Sequence, residues 1–165
     1  MIGFLIIKPG SKAKDEPSGL SGIITHAHIE QDGRVQYLLQ PHGINPKDGQ
    51  PVKRIWTLEQ RLRGVASNHL VKLPMEVLGT KVKDTASGFT GIATAFQIHI
   101  SGCFHVYVQP KGRIKETGDP IASCDFDIRR LEGPAIKKMS EAERDKDQSK
   151  RPSPAGDSGL PTARL

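Results

Sequence analysis

The sequence predicts an all-β fold of two small barrels in tandem. Three observations predict it: a segment written twice, period-two alternation inside each copy, and glycine turns at shared positions. Residues 10–64 and 79–133 align at a constant offset of 69 without a gap, and 19 of the 55 paired positions are identical. GSKAKDEPSGLSGIITHAHIEQDGRVQYLLQP (10–41) lies over GTKVKDTASGFTGIATAFQIHISGCFHVYVQP (79–110). Self-similarity of this quality sets the architecture before any motif is considered. It divides the chain into a first repeat at 1–69, a second at 70–134, and a tail at 135–165.

Each copy opens on Lys-x-Lys-Asp, Lys12 to Asp15 and Lys81 to Asp84, read as a short strand. Ser18-Gly19 and Ser87-Gly88 then suit a turn with a left-handed glycine, and Asp15 and Asp84 cap it through side-chain-to-backbone bonds. Residues 22–30 alternate, with Ile23, Thr25, Ala27 and Ile29 on one face and Ile24, His26, His28 and Glu30 on the other. The second copy sets Ile92, Thr94, Phe96 and Ile98 against Ala93, Ala95, Gln97 and His99. Such alternation marks a half-buried strand. A hairpin follows at Gly33 or Gly102, then a strand through Val35, Tyr37 and Leu39 or Phe104, Val106 and Val108. Pairing should stop at the shared Gln40-Pro41 and Gln109-Pro110, because proline cannot continue a ladder. A long loop, a last short strand (54–58; 123–128) and a shared Arg-Leu-x-Gly complete each copy. Short strands, glycine turns and one longer loop describe a small barrel of the Src-homology type.

The tail differs. Residues 135–150 are charged, and Ser140-Glu141-Ala142-Glu143 matches a capping box that could open a short helix over 141–148. Residues 151–165 are rich in Pro, Gly and Ser and have too little apolar content to fold alone. Removing 135–165 should therefore leave both repeats folded.

Composition narrows the function. A domain of about 60 residues buries only about 60% of the surface its unfolded chain exposes, so each copy is marginal alone and needs its twin or a partner. The net charge of +6 is spread as +3, +1 and +2 over the three segments, with acidic residues interleaved. That argues against a dedicated nucleic-acid binder, as does an aromatic content of 5% that leaves Trp56 and Tyr107 as the exposed rings. The N-terminal apolar run is too short for a membrane span, and no membrane partner is expected. Cys103 and Cys124 both fall in the second copy and are expected to stay reduced.

No site chemistry survives comparison of the copies, and neither an enzyme nor a cofactor is expected. His26 and His28 have the spacing of metal ligands, but their counterparts are Ala95 and Gln97 and nothing completes a ligand set. Cys103 beside His105 lacks a third, orienting group. Asp125 and Asp127 lie opposite Trp56 and Leu58 of the first copy, so no acid/base pair is shared. No phosphate-cradling glycine loop is present. The best candidates for partner contact are the duplicated Lys12, Lys14, Lys81 and Lys83, which share a strand face, and Lys137, Lys138 and Arg151 of the tail. Lysines so placed equally guard an edge strand against aggregation.

The motif G-x-K-x-K-D-x-x-S-G-[LF]-[ST]-G-I-x-T, with Gly102-Cys103 and Val108-Gln109-Pro110, resembles small barrel proteins encoded by tailed bacteriophages. The second copy matches more closely, over 78–132, and the first departs at Arg34. The resemblance implies a phage origin and brings no catalytic residues with it. The expected function is then a virion structural protein, a capsid decoration or accessory head or tail component, made in the bacterial host cytoplasm. Its partners would be capsid or tail subunits, with self-association possible. The alternatives are a small-ligand or nucleotide-binding counter-defence protein and, third, a nucleic-acid-binding module.

Overall fold

The computed structural model describes residues 2–65 and 68–136. It is all-β, with twelve strands and three single 3₁₀ turns among those residues. The first strand, β1 (Ile2–Ile7), precedes the first repeat. That repeat comprises β2 (Lys12–Asp15), β3 (Ser21–Glu30), β4 (Val35–Pro41), β5 (Ile55–Leu58), a 3₁₀ turn (Glu59–Arg61) and β6 (Leu62–Arg63). After β7 (Asn68–Leu73) and a 3₁₀ turn (Met75–Val77) the same series returns. It runs β8 (Lys81–Asp84), β9 (Thr90–His99), β10 (Phe104–Gln109), β11 (Cys124–Asp127), a 3₁₀ turn (Ile128–Arg130) and β12 (Leu131–Glu132). The possible helix over 141–148 lies outside the described residues.

Strands pair in the order 5-4-3-2-6 in the first half and 11-10-9-8-12 in the second. The sequence predicts closed barrels; the ladder does not close. Among the described residues no pairing joins β5 to β6 or β11 to β12, and the sheet stays open at both places. The 3₁₀ turn is the cause. Three tightly wound residues turn the chain so that the two-residue strand after them pairs with β2 or β8 rather than with the strand before them.

A second departure lies inside β3 and β9. The ladder to β4 skips Thr25, and the ladder to β10 skips the equivalent Thr94. A bulge puts one extra residue into one strand and reverses its alternation from that point. Ile24 is therefore buried with Ala27 and Ile29, and Ala93 with Phe96 and Ile98, where strict alternation sets them on opposite faces. In both copies the threonine hydroxyl fixes the bulge by donating across the hairpin, to the Leu38 carbonyl at 3.1 Å and the Tyr107 carbonyl at 3.3 Å.

The halves join through β3 and β9, which pair antiparallel over His26–Glu30 and Ala95–His99. The register is symmetric: His28 meets Gln97, its own counterpart at the offset of 69, and the pairs on either side mirror each other. The β3–β9 ladder thus has a local pseudo-two-fold axis through His28 and Gln97. β1 and β7 form a separate two-stranded antiparallel ribbon, paired from Ile2 and Leu73 to Ile7 and Asn68.

One cluster of buried side chains runs through both halves. Where the first half places Ile24, Ala27 and Tyr37, the second places Ala93, Phe96 and Val106, so each keeps one large ring on a different strand. Volume-conserving exchanges of this kind preserve packing. The ribbon docks through Ile6, Ile7, Val71 and Leu73, and the Ile7 N–H donates to the buried Tyr37 hydroxyl at 3.0 Å. Ala135 and Ile136 also belong to the core, with 8% and 1% exposure. A truncation that spares the fold must begin after Ile136, two residues later than the tail boundary read from sequence.

The capping aspartates do more than cap. Asp15 and Asp84 are fully buried, and each takes a two-pronged bond from an arginine 46 residues away. Arg61 Nε and Nη2 reach Asp15 at 2.9 Å each, and Arg130 reaches Asp84 at 2.9 and 2.8 Å. Burial pushes the Asp15 carboxyl up, but bonds from Arg61, Ser18 and Thr57 outweigh it and hold it well below the usual carboxylate range. Arg130, then Ser87, hold Asp84 down to about 2 against the opposing effect of burial. Replacing Asp15 with Ala strands the Thr57 hydroxyl and one face of Arg61 in a dry site. We expect Asp15→Ala to lose about 3 kcal/mol in urea denaturation, and Asp84→Ala to fall in the same direction. Unchanged midpoints would mean that the short strands hold without these pairs.

Candidate functional site

Beyond the bulge, β3 turns His26, His28 and Glu30 away from the core, beside Gln97 and His99 of β9. Register then sets a row across the whole sheet: Leu58, Gln36, His28, Gln97, His105 and Asp127. The axis passes through its middle. A parallel row holds Glu30, Ala95, Tyr107 and Asp125. Ala95 is small, so the Tyr107 ring beside it reaches across and stands edge-on to His28 at 5.1 Å. On the other side Trp56, 46% exposed, stands edge-on to the same ring at 5.7 Å.

Around these rings the polar groups are mostly engaged. Glu30 accepts from Arg34 Nη2 and from Gln36 Nε2, each at 3.0 Å. Arg34 also binds Asp32. His105 Nδ1 and Asp125 lie 2.7 Å apart. His26 packs edge-on against His99 at 4.5 Å, and its Nδ1 bonds the Thr25 hydroxyl. Burial, with His99 and then Arg54 nearby, drives the His26 ring down to about 4. Burial likewise lowers His28, partly opposed by Glu30, and burial followed by Asp125 raises Tyr107. Burial thus favours the uncharged form of the His26 and His28 rings.

Two polar atoms on the axis stand out. His28 Nδ1 and Gln97 Oε1 are buried with no hydrogen-bond partner, and their residues face each other across the β3–β9 ladder. A buried polar group left unpaired is costly enough to need a reason. Above them open two adjoining hollows of about 350 Å³ each. Both are lined by His28, Glu30 and Thr94; one adds Gln31, Asp32 and Ala95, and the other Gln36, Trp56, Tyr107 and Ser123. The combined lining has two carboxylates and no lysine or arginine.

The residues singled out from sequence sit elsewhere. Lys12 and Lys14 point outward on β2, and Lys81 and Lys83 on β8. Neither strand is an edge, since β2 lies between β3 and β6 and β8 between β9 and β12. Lys83 pairs with Glu132 at 3.3 Å, and none of the four lysines lines either hollow. Lys137, Lys138 and Arg151 lie outside the described residues. Trp56 and Tyr107 are the outward rings the sequence indicates; Glu30, Thr94 and Gln97 are the residues it misses. Their signal was the divergence of His28 and Gln97 at one repeated position. Among the described residues no three His, Cys, Asp or Glu are grouped to hold a metal, both cysteines are free thiols, and no helix is long and apolar enough to cross a membrane. Comparison with family models, curated proteins and solved structures finds no match to this chain.

The buried histidines make the joint acid-sensitive. In the unfolded chain His26 takes up a proton at its ordinary 6.5, but in the folded protein only near 4. The unfolded state therefore binds more protons between those values, and stability is lost as pH falls. The urea midpoint should hold above pH 6.5 and fall between 6.5 and 4, with a smaller fall in His26→Gln. An equal fall in both proteins would place the acid sensitivity elsewhere.

Proposed function

We propose that this protein is a non-catalytic component of a bacteriophage particle, a capsid decoration or accessory head or tail protein that binds a symmetric lattice of protein subunits. The observation that carries this reading is the axis through His28 and Gln97, which makes one chain a two-fold module. Such a module meets a symmetric lattice as a homodimer would. Exposed apolar side chains add support. Leu5 and Leu70 are a cross-strand pair on the ribbon, 63% and 59% exposed, and Ile44, Ile114 and Ile121 stand out on the long loops. The halves are read as variants of the Src-homology barrel, supported by the 5-4-3-2-6 order and the 3₁₀ turn before its last strand. The resemblance of the repeat motif to phage barrels supplies the setting: synthesis in the host cytoplasm and residence on the virion.

The reading as a small-ligand or nucleotide-binding counter-defence protein relies on the duplicated lysines and the loops 42–53 and 111–122 as clamps, and none of these residues lines either hollow. The decisive measurement is mass spectrometry of density-purified virions. Presence in tens of copies or more, the order of a lattice component, is the expected result. Absence from particles, with expression in infected cells, would overturn the assembly role. In the same system a chain ending at Ile136 should keep its melting temperature yet co-sediment less with capsids; unchanged co-sedimentation would remove the tail from the contact.

A further inference from the structure

We propose that the outward face over the axis is the partner-contact site, and that it receives a basic side chain of the partner protein, an arginine, laid between Trp56, Tyr107 and Glu30. This rests on the assembly reading and names the chemistry of its contact.

Charge selects the class of guest. Glu30 and Asp32 line the hollows and share one cation, Arg34 on the rim, so one negative charge stays uncompensated and disfavours phosphate, nucleotides and acidic peptides. Both unpaired atoms favour a donor-rich guest. Gln97 Oε1 is an acceptor, and a neutral His28 can offer the lone pair of Nδ1. Neither atom holds a bond that a donor would have to displace, and His28 lines both hollows.

Shape narrows the choice to arginine. Trp56 and Tyr107 stand on opposite sides of His28 and leave aromatic surface over which a flat cation can lie. A guanidinium is planar, carries five donors and is weakly hydrated, whereas an ammonium is a compact, strongly hydrated point charge. The protein already displays the match. Arg34 binds Glu30 and Asp32 together on the rim, and each carboxylate keeps lone pairs to spare. Trp and Tyr at the centre of a polar rim also make the composition typical of an interface hot spot.

The site carries its own reporter, because Trp56 is the single tryptophan of the chain. Its indole N–H resonance can be followed by NMR while the full-length protein is titrated with the tripeptide amide Gly-Arg-Gly. Gly-Lys-Gly amide and adenosine monophosphate serve as comparisons. The expected result is saturable movement with a dissociation constant on the order of millimolar for the arginine peptide, the scale of one isolated side chain. Binding should be about tenfold weaker in Glu30→Gln and Tyr107→Ala, and weaker for the lysine peptide. Glu30 and Tyr107 lie on the outward face, and circular dichroism of both variants checks that the fold is kept. No saturable movement with the arginine peptide, equal binding by Glu30→Gln, or tighter binding of the nucleotide would each overturn the proposal. Failure here leaves incorporation into virions untouched, and absence from virions leaves this titration intact, so the two ideas fail separately.

Discussion

Each half of this molecule depends on a buried carboxylate gripped by an arginine from the far end of its own repeat. The strand that follows the 3₁₀ turn is two residues long, and so short a ladder supplies little by itself. The Asp15–Arg61 and Asp84–Arg130 pairs supply the missing tie. Each binds the end of β2 or β8 to the turn that launches the last strand, beside the two-residue ladder that it reinforces. Asp15 is buried at no exposed surface yet is fully occupied, by Arg61 twice, the Thr57 hydroxyl and the Ser18 N–H. A charge so satisfied is stable, and the same charge left alone would be strongly unfavourable. That asymmetry makes the pair a lock on one topology.

The fusion answers a second need. Within one repeat, β2 covers only the beginning of β3 and leaves the residues from His26 onward as a bare edge. Unpaired edges invite aggregation. Pairing β3 to β9 covers both edges at once, and joining the halves in one chain makes the contact intramolecular. A homodimer of identical copies would set His28 against His28 on the axis and His26 against Glu30 beside it. Here Ala95, Gln97 and His99 stand where the second copies of His26, His28 and Glu30 would be, and beside the small Ala95 the Tyr107 ring reaches His28. The register over the axis is symmetric while the residues on it differ, and this makes the hollows one-sided.

Much of this was legible in the sequence, and the failures have physical causes. Turn glycines at 19, 33, 88 and 102 mark real left-handed positions, since each has a positive φ. Strand existence followed from alternation. The bulges did not: Ile23 and Ile24 are both apolar and Thr25 suits either face, so a skipped residue leaves no trace in a period-two pattern. Arg61 and Arg130 were visible as a shared motif, but nothing local says that they reach back 46 residues to an aspartate. The face over the axis was the least legible, because it is set by register between the copies and no single copy contains it. The duplicated lysines were legible for the converse reason. Duplication preserves whatever each half needs for itself, whereas a site at the join exists once and is built from residues that differ.

The distribution of charge follows the same division. The chain as a whole is basic, with a net charge of +6, but the lining of the central hollows is acidic. Lysines lie outward on β2 and β8, away from the axis, and more basic residues follow Ile136 in the sequence. A partner that met the lysines alone would be chosen by net charge, a long-range and salt-sensitive attraction with little geometric content. A partner that also placed a cation over Trp56 would have to present acidic groups at the periphery and a basic one at the centre. Such an alternating pattern is hard for an unrelated surface to match by chance, so the acidic centre confers specificity that the basic periphery cannot.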